Sequence, residues 1–91
     1  MKYQNILDKS YRHLKEGFTY RVAKEFRDYD HNLQSLGITL VFIGSNFVPY
    51  EDGLSLFVSI NGIEQQIRLQ CRPEEQKEII ENLEQYLVQC Q

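Results

Sequence analysis

Residues 54–69 read LSLFVSINGIEQQIRL, and this stretch decides the fold. Apolar and polar residues alternate on both sides of Asn61-Gly62, which is the pattern of strands with one buried face. An Asn-Gly pair between two such runs predicts a two-residue hairpin turn, because both turn positions need positive φ. A turn of two residues also fixes the register of the two strands. The predicted cross-strand pairs are Ile60–Ile63, Leu56–Ile67 and Leu54–Leu69.

A third strand precedes this hairpin. Residues 38–48, ITLVFIGSNFV, are rich in the β-branched and aromatic residues that strands favour. Pro49 and the Asp52-Gly53 pair then supply turn residues before the next strand. The middle of the chain is therefore predicted to be a three-stranded antiparallel meander.

The first third of the chain has a different period. From Lys2 to Leu36 the apolar residues recur at gaps of three or four, which predicts an amphipathic helix ending before Gly37. Gly17 interrupts it without changing the phase, so one long helix and a pair of helices joined near Gly17 both stay open. The apolar positions are Tyr3, Leu7, Tyr11, Leu14, Phe18, Val22, Phe26, Tyr29, Leu33 and Leu36.

The C-terminal segment is predicted to be a helix that begins at Pro73, since proline suits the first helical turn. Glu74 and Glu75 follow, near the positive end of the helix dipole. The fold class is then α+β: a long N-terminal helix or helix pair, a three-stranded meander and a C-terminal helix, in the order α-β-β-β-α. Residues 1–91 make a single domain, and the buried helical positions are Ile79, Ile80, Leu83, Tyr86, Leu87 and Cys90.

Composition places the chain among small globular proteins. Hydrophobic residues make up 42% and charged residues 25% of 91 positions, and no apolar run approaches the length of a membrane span. The N-terminus lacks the apolar core of a signal peptide, which favours a cytoplasmic protein with two reduced cysteines. Net charge is −3, with the first 30 residues mildly basic and the rest acidic.

Residues 27–32, RDYDHN, are the strongest candidate for a metal site, because they combine two carboxylates with an imidazole. On a helix Asp28 and Asp30 would point about 200° apart, so they would not share an ion. Asp28 and His31 alone are too few ligands for zinc. No nucleophile elbow or phosphate-binding loop is present either. We therefore expect no metal, no cofactor and no enzymatic activity.

Binding to another protein is the predicted function. Helices on one face of the sheet would leave Phe57 on the other, beside either Leu40, Phe42 and Val48 or Val41, Ile43 and Phe47. An open apolar sheet face usually contacts a partner. The C-terminal helix would add an acidic surface, as in an inhibitor, an immunity-type protein or an adaptor of bacterial or phage origin. Its residues are Glu74, Glu75, Glu78, Glu81 and Glu84.

Two alternatives remain at this stage. A basic face on the first helix could follow a nucleic-acid backbone, although the isoelectric point near 5.3 argues against it. The residues of that face are Lys9, His13, Tyr20, Lys24 and Arg27. A structural homodimer, closed over the apolar sheet face, is the other alternative.

Overall fold

A five-stranded antiparallel sheet forms the centre of the molecule. The computed structural model describes residues 7–90. The strands are β1 (Ser10–Tyr11), β2 (Leu14–Lys15), β3 (Thr19–Val22), β4 (Phe26–Arg27), β5 (Leu33–Gln34), β6 (Thr39–Val48), β7 (Gly53–Ile60), β8 (Ile63–Gln70) and β9 (Leu87–Gln89). Across the main sheet the strand order is β8-β7-β6-β3-β9, and the pairs β1-β2 and β4-β5 form two small sheets. The helices are a 3₁₀ turn (Pro49–Glu51), α1 (Lys77–Glu81) and α2 (Leu83–Tyr86).

The predicted meander is confirmed in β6, β7 and β8. Asn61 has φ 54° and Gly62 has φ 80°, as a type I′ turn requires. The predicted register is confirmed as well: Ile60 pairs with Ile63, Leu56 with Ile67 and Leu54 with Leu69. The local pattern was sufficient here because turn chemistry and alternation both require the same pairing.

A β-bulge in β6 changes which of its residues face the core. The register with β7 shifts between Phe42 and Gly44, so Ile43 is the extra residue. Before the bulge Phe42 lies on the core face; after it, Ser45 does, and Phe47 shares its face. Neither predicted set of outward residues is correct, since one inserted residue reverses the alternation. The open face therefore carries Val41, Gly44, Asn46 and Val48 from this strand.

The predicted α+β class, in the order α-β-β-β-α, is wrong, because the long N-terminal helix or helix pair does not form within residues 7–90. Among residues 7–90 no α-helix precedes Lys77; residues 8–34 form short strands and turns, and the protein is mostly β. The part of the predicted helix before Leu7 lies outside the described residues. Strand β3 lies between β6 and β9 in the main sheet, pairing Tyr20 with Leu40 and Val22 with Leu87.

Tight turns explain the helix-like spacing of this segment. Tyr11 and Leu14, three positions apart, are cross-strand neighbours in the β1–β2 hairpin. Positive φ at Arg12 (53°) and at Gly17 (85°) reverses the chain between successive short strands. Apolar residues at the ends of two-residue strands thus recur every three or four positions, although no helix forms.

The predicted C-terminal helix is shorter than expected and broken. Residues 72–76 form turns, α1 and α2 are separated by Asn82, and the chain then enters β9. Ile80, Leu83, Tyr86 and Leu87 are buried, as predicted, whereas Ile79 and Cys90 are partly buried.

The short helices and the β4 region cover one face of the sheet. Phe26 and Tyr86 meet edge to face at 5.6 Å between ring centroids within this layer. None of the helices in the described range 7–90 is long and apolar enough to cross a membrane. The buried apolar core consists of Leu14, Tyr20, Val22, Phe26, Leu40, Phe42, Leu54, Leu56, Val58, Ile67, Leu69, Ile80, Leu83, Tyr86 and Leu87.

Candidate functional site

The β6–β7 turn presents an exposed apolar group at one end of the sheet. Tyr50 is 99% exposed, and Phe47 and Val48, which precede it, are exposed at 42% and 38%. Pro49 begins the 3₁₀ turn, and the Asp52 N–H donates to the Pro49 carbonyl at 3.2 Å, which holds the turn in shape. We call Phe47, Val48 and Tyr50 the aromatic end. A large apolar group held in water by an ordered turn is typical of an interaction surface.

Acidic side chains lie at the same end of the sheet as the aromatic end. The turn beginning at Arg72 is attached to the β6–β7 turn, because the Cys71 N–H donates to the Asp52 carbonyl at 2.7 Å and the Arg72 guanidinium pairs with the Asp52 carboxylate at 3.4 Å. This attachment brings Glu74 and Glu75, both exposed, to the same end as Glu51. We call Glu51, Glu74 and Glu75 the acidic rim. A basic partner surface would complement it.

A groove of about 250 Å³ runs from this end over the open sheet face. Val48 and Glu51 line it near the turn, Phe57 lies farther along, and Tyr29 and Arg68 line its far side. Phe57 is partly buried, so it belongs to the floor of the groove rather than to a projecting surface.

The predicted acidic surface and Phe57 lie on opposite sides of the sheet. The α1–α2 layer packs on the core face through Ile80 and Leu83, whereas Phe57 alternates with Leu56 and Val58 onto the other face. A single flat partner surface therefore cannot contact both. The five glutamates are exposed, and Glu81 pairs with Lys77 at 3.8 Å: Glu74, Glu75, Glu78, Glu81 and Glu84.

The predicted basic helix face is absent, because its helix does not form. Tyr20 is fully buried, and its hydroxyl donates to the His13 carbonyl at 3.1 Å. His13 Nε2 lies 2.6 Å from the Leu87 carbonyl oxygen; because a carbonyl can only accept a hydrogen bond, Nε2–H is the donor. Lys9 pairs with Glu16 at 3.4 Å, and Lys24 lies over the Tyr86 ring.

Arg27, the fifth of those residues, belongs to the stretch RDYDHN. Its guanidinium donates to the His31 carbonyl at 2.9 Å. Asp28 Oδ1 accepts the N–H groups of Asp30 and Asn32 at 3.0 and 2.9 Å, which is a turn-stabilising role. Within residues 7–90 no cluster of three or more histidine, cysteine, aspartate or glutamate side chains could hold a metal ion.

Asp30 connects this turn to the main sheet. Its carboxylate accepts two hydrogen bonds from Arg68, at 2.9 Å from Nε and 2.7 Å from Nη2. The hydrogen bond to Arg68 is the main cause that holds the pKa of Asp30 below its usual value. The same hydrogen bond is the main cause that raises the pKa of Arg68 above its usual value. The negative charge of Asp28 is the smallest of the causes that raise it.

Tyr50 gives no signal of a site in the sequence, and Asp28 is predicted only as a candidate metal ligand on a helix. Tyr50 follows Pro49 and precedes Glu51 in a turn, so no strand position buries its ring. The signal for a turn at Asp28 is the run of turn-forming residues from Asp28 to Asn32.

The family model described as "Domain of unknown function (DUF3601)" matches residues 2–90. Among solved structures, an integron cassette protein from the mobile metagenome of Vibrio cholerae matches with a TM-score of 0.94 at 46% identity, over 96% of this chain and 97% of that chain. No curated protein matches the sequence. Of the predicted bacterial or phage origin, the relation to a bacterial protein is thus confirmed. The chain belongs to the family described as a domain of unknown function, DUF3601.

Proposed function

We propose that this protein, of bacterial or phage origin, is a non-enzymatic protein-binding module: an inhibitor, an immunity-type protein or an adaptor. It binds its partner at the aromatic end. The observation that carries the proposal is the 99% exposure of Tyr50 in an ordered turn. Tyrosine is among the residues that dominate binding energies at protein interfaces. The fully exposed Tyr50 side chain contributes nothing to folding, because its ring buries no surface area against the rest of the chain.

The partner is a protein with an apolar pocket inside a basic border. Tyr50 would enter the pocket, Phe47 and Val48 would contact the partner from the two opposite faces of β6, and the acidic rim would face the basic border. Opposite charges at the edge of an interface mainly raise the association rate and weaken with salt. The proposal thus retains Glu74 and Glu75 from the predicted acidic surface and leaves Glu78, Glu81 and Glu84 outside the interface.

Affinity capture with matched variants tests this proposal. The wild-type chain and Tyr50→Ala are immobilised and exposed to lysate, and the affinity of each captured protein is then measured by calorimetry. We expect Tyr50→Ala to weaken the partner by about tenfold or more, because truncating an anchor residue costs about 2 kcal/mol. Ile63→Ala is the matched control, since Ile63 is 64% exposed at the opposite end of the β7–β8 hairpin.

Two results would contradict the proposal. A partner that binds Tyr50→Ala and the wild type equally would place the interface elsewhere on the chain. A wild-type dimer that Tyr50→Ala converts to a monomer, measured by light scattering, would assign the aromatic end to a second copy, which is the homodimer alternative.

A further inference from the structure

A second cavity lies away from the aromatic end, where the β4–β5 hairpin meets the β7–β8 hairpin. Its volume is about 330 Å³. Most of its polar wall consists of amide side chains, and its apolar wall is aliphatic. The lining residues that matter here are Asp28, Asn32, Gln34, Ile60, Gln65 and Gln66.

Asp28 is the unusual member of this wall. The residue is only 1% exposed, yet it carries a carboxylate. Oδ1 accepts two backbone N–H groups, from Asp30 and Asn32, and is thereby occupied. Oδ2 is buried and has no hydrogen-bond partner among residues 7–90. A buried charged oxygen without a donor is costly, and such a group in a native protein requires an explanation.

Arg68 does not supply the missing donor. Its guanidinium is directed to Asp30 by two hydrogen bonds of 2.9 and 2.7 Å. Its ion pair is therefore with exposed Asp30, and no hydrogen bond joins it to the buried Oδ2 of Asp28.

We propose that this cavity binds a primary ammonium group, with Asp28 Oδ2 as its charged acceptor. A single carboxylate oxygen that lacks a donor fits an ammonium better than a guanidinium, which prefers both oxygens of a carboxylate at once. The amide carbonyls of Gln34 and Gln65 can accept the two remaining ammonium hydrogens. Ile60 can contact the first carbons of an alkyl chain. The ligand class is therefore a small alkylamine, or a lysine side chain with the same terminal chemistry.

Oδ2 is shielded from solvent, so a donor reaches it only when a side chain in the wall changes rotamer. Asn32 and Gln65 are exposed and unbranched at Cβ, and can move without disturbing the core. The backbone N–H groups of Asp30 and Asn32 donate to Oδ1, so their amide chemical shifts would change when a cation binds at Oδ2.

A ¹H–¹⁵N titration of the whole chain tests the proposal. The probes are ethylammonium chloride and Nα-acetyl-lysine amide, and potassium chloride at equal ionic strength is the control. We expect saturable shifts at the amides of Asp30 and Asn32, with a dissociation constant on the order of 1 mM for so small a ligand. Potassium chloride should produce none of the saturable shifts at these amides.

Asp28→Asn keeps an oxygen for the turn and removes the charge, so binding should weaken by about tenfold or more. Glu64→Gln is the matched control, because it removes an exposed carboxylate from the same strand as Gln65 without touching the cavity wall. If Asp28→Asn does not fold, Gln65→Leu removes an acceptor from an exposed side chain and should weaken binding severalfold.

The probes distinguish the source of the ammonium group. Binding of both compounds supports recognition of the bare ammonium, and binding of the lysine derivative alone supports a protein side chain. The proposal is overturned if neither compound shifts the Asp30 and Asn32 amides, in which case the cavity binds water only. It is also overturned if the folded variants, Asp28→Asn or Gln65→Leu, bind as tightly as the wild type.

Discussion

Gly44 is a position where one residue controls the contact between two segments. It pairs with Phe57 directly after the β6 bulge, and Asp8 bridges to the neighbouring Ser45 through backbone bonds of 2.8 and 2.9 Å. A Cβ built on Gly44 would lie 2.9 Å from Leu7 Cβ and 3.0 Å from the Asp8 carbonyl oxygen. Glycine is needed here because the backbone of the N-terminal segment approaches too closely for any side chain.

Gly44→Ala should therefore lower the free energy of unfolding by about 1–3 kcal/mol, the usual cost of overpacking. Urea denaturation followed by circular dichroism measures it. Gly53→Ala is the matched control, since a Cβ there meets nothing closer than 3.9 Å and its stability should change little. Equal stability of Gly44→Ala and Gly53→Ala would mean that the Leu7 contact does not constrain the sheet.

At the scale of elements, the β4–β5 hairpin is fastened to the edge of β8 through Arg68. The Tyr29 N–H donates to the Arg68 carbonyl at 2.7 Å, and the Arg68 guanidinium lies 5.4 Å from the Tyr29 ring centroid while bonding to Asp30. Because these contacts occupy part of the edge of β8, they also leave less backbone available for pairing with another chain.

The Asp30–Arg68 pair should give this hairpin a pH dependence. The pKa of Asp30 is lowered in the folded chain, chiefly by the hydrogen bond from Arg68. Its stabilisation is therefore complete above the unfolded value of 3.8 and is lost as pH falls through the lower folded pKa. We expect wild type and Asp30→Asn to differ in unfolding free energy at pH 7, and the difference to shrink below pH 3.8.

Denaturant titrations from pH 7 to pH 2 measure that difference, which should also decrease with added salt, because both side chains are exposed. Glu64→Gln is the control, since it removes an exposed carboxylate from the strand that carries Arg68. If the difference in unfolding free energy between wild type and Asp30→Asn stays constant across this pH range, the ion pair of Asp30 with Arg68 does not stabilise the fold.

The elements differ in how well the sequence predicts them, and the reason is locality. In β7 and β8, turn residues and alternation are adjacent in the chain, so the register followed from residues 54–69 alone. Strand β3 has four residues, and its two neighbours, β6 and β9, come from distant parts of the chain. Its pattern was therefore indistinguishable from one turn of an amphipathic helix.

The candidate sites were harder to predict for a related reason. The glutamates of the C-terminal segment were correctly expected to be exposed, because charged residues rarely bury without partners. The acidic rim forms because Arg72 meets Asp52, and the cavity beside Asp28 forms where the β4–β5 hairpin meets the β7–β8 hairpin. Neither contact has a signal in the neighbouring sequence. The positive φ of Arg12 (53°) has none either, since arginine usually avoids that region.

At the scale of the whole molecule, β9, the last strand of the described residues, forms one edge of the main sheet. β9 pairs with β3, and its outer edge is covered at Leu87, whose carbonyl accepts from His13 and whose N–H donates to the Leu83 carbonyl. The two ends of the described chain thus stabilise each other, and topologies with such distant contacts fold slowly compared with local ones.

Removal of residues 87–91 should therefore destabilise the entire domain rather than fray one end. The truncation deletes Leu87, which is fully buried, and this alone costs about 2–5 kcal/mol out of a total stability of about 5–15 kcal/mol. It also exposes the edge of β3, so the remaining folded molecules should associate through that strand.

Thermal unfolding by circular dichroism and light scattering measure the two effects. Gln89→Ala, an exposed change on the same strand, should leave both unchanged. A monomeric truncated chain that melts at the wild-type temperature would mean that β9 is an accessory strand and that β3 already closes the sheet.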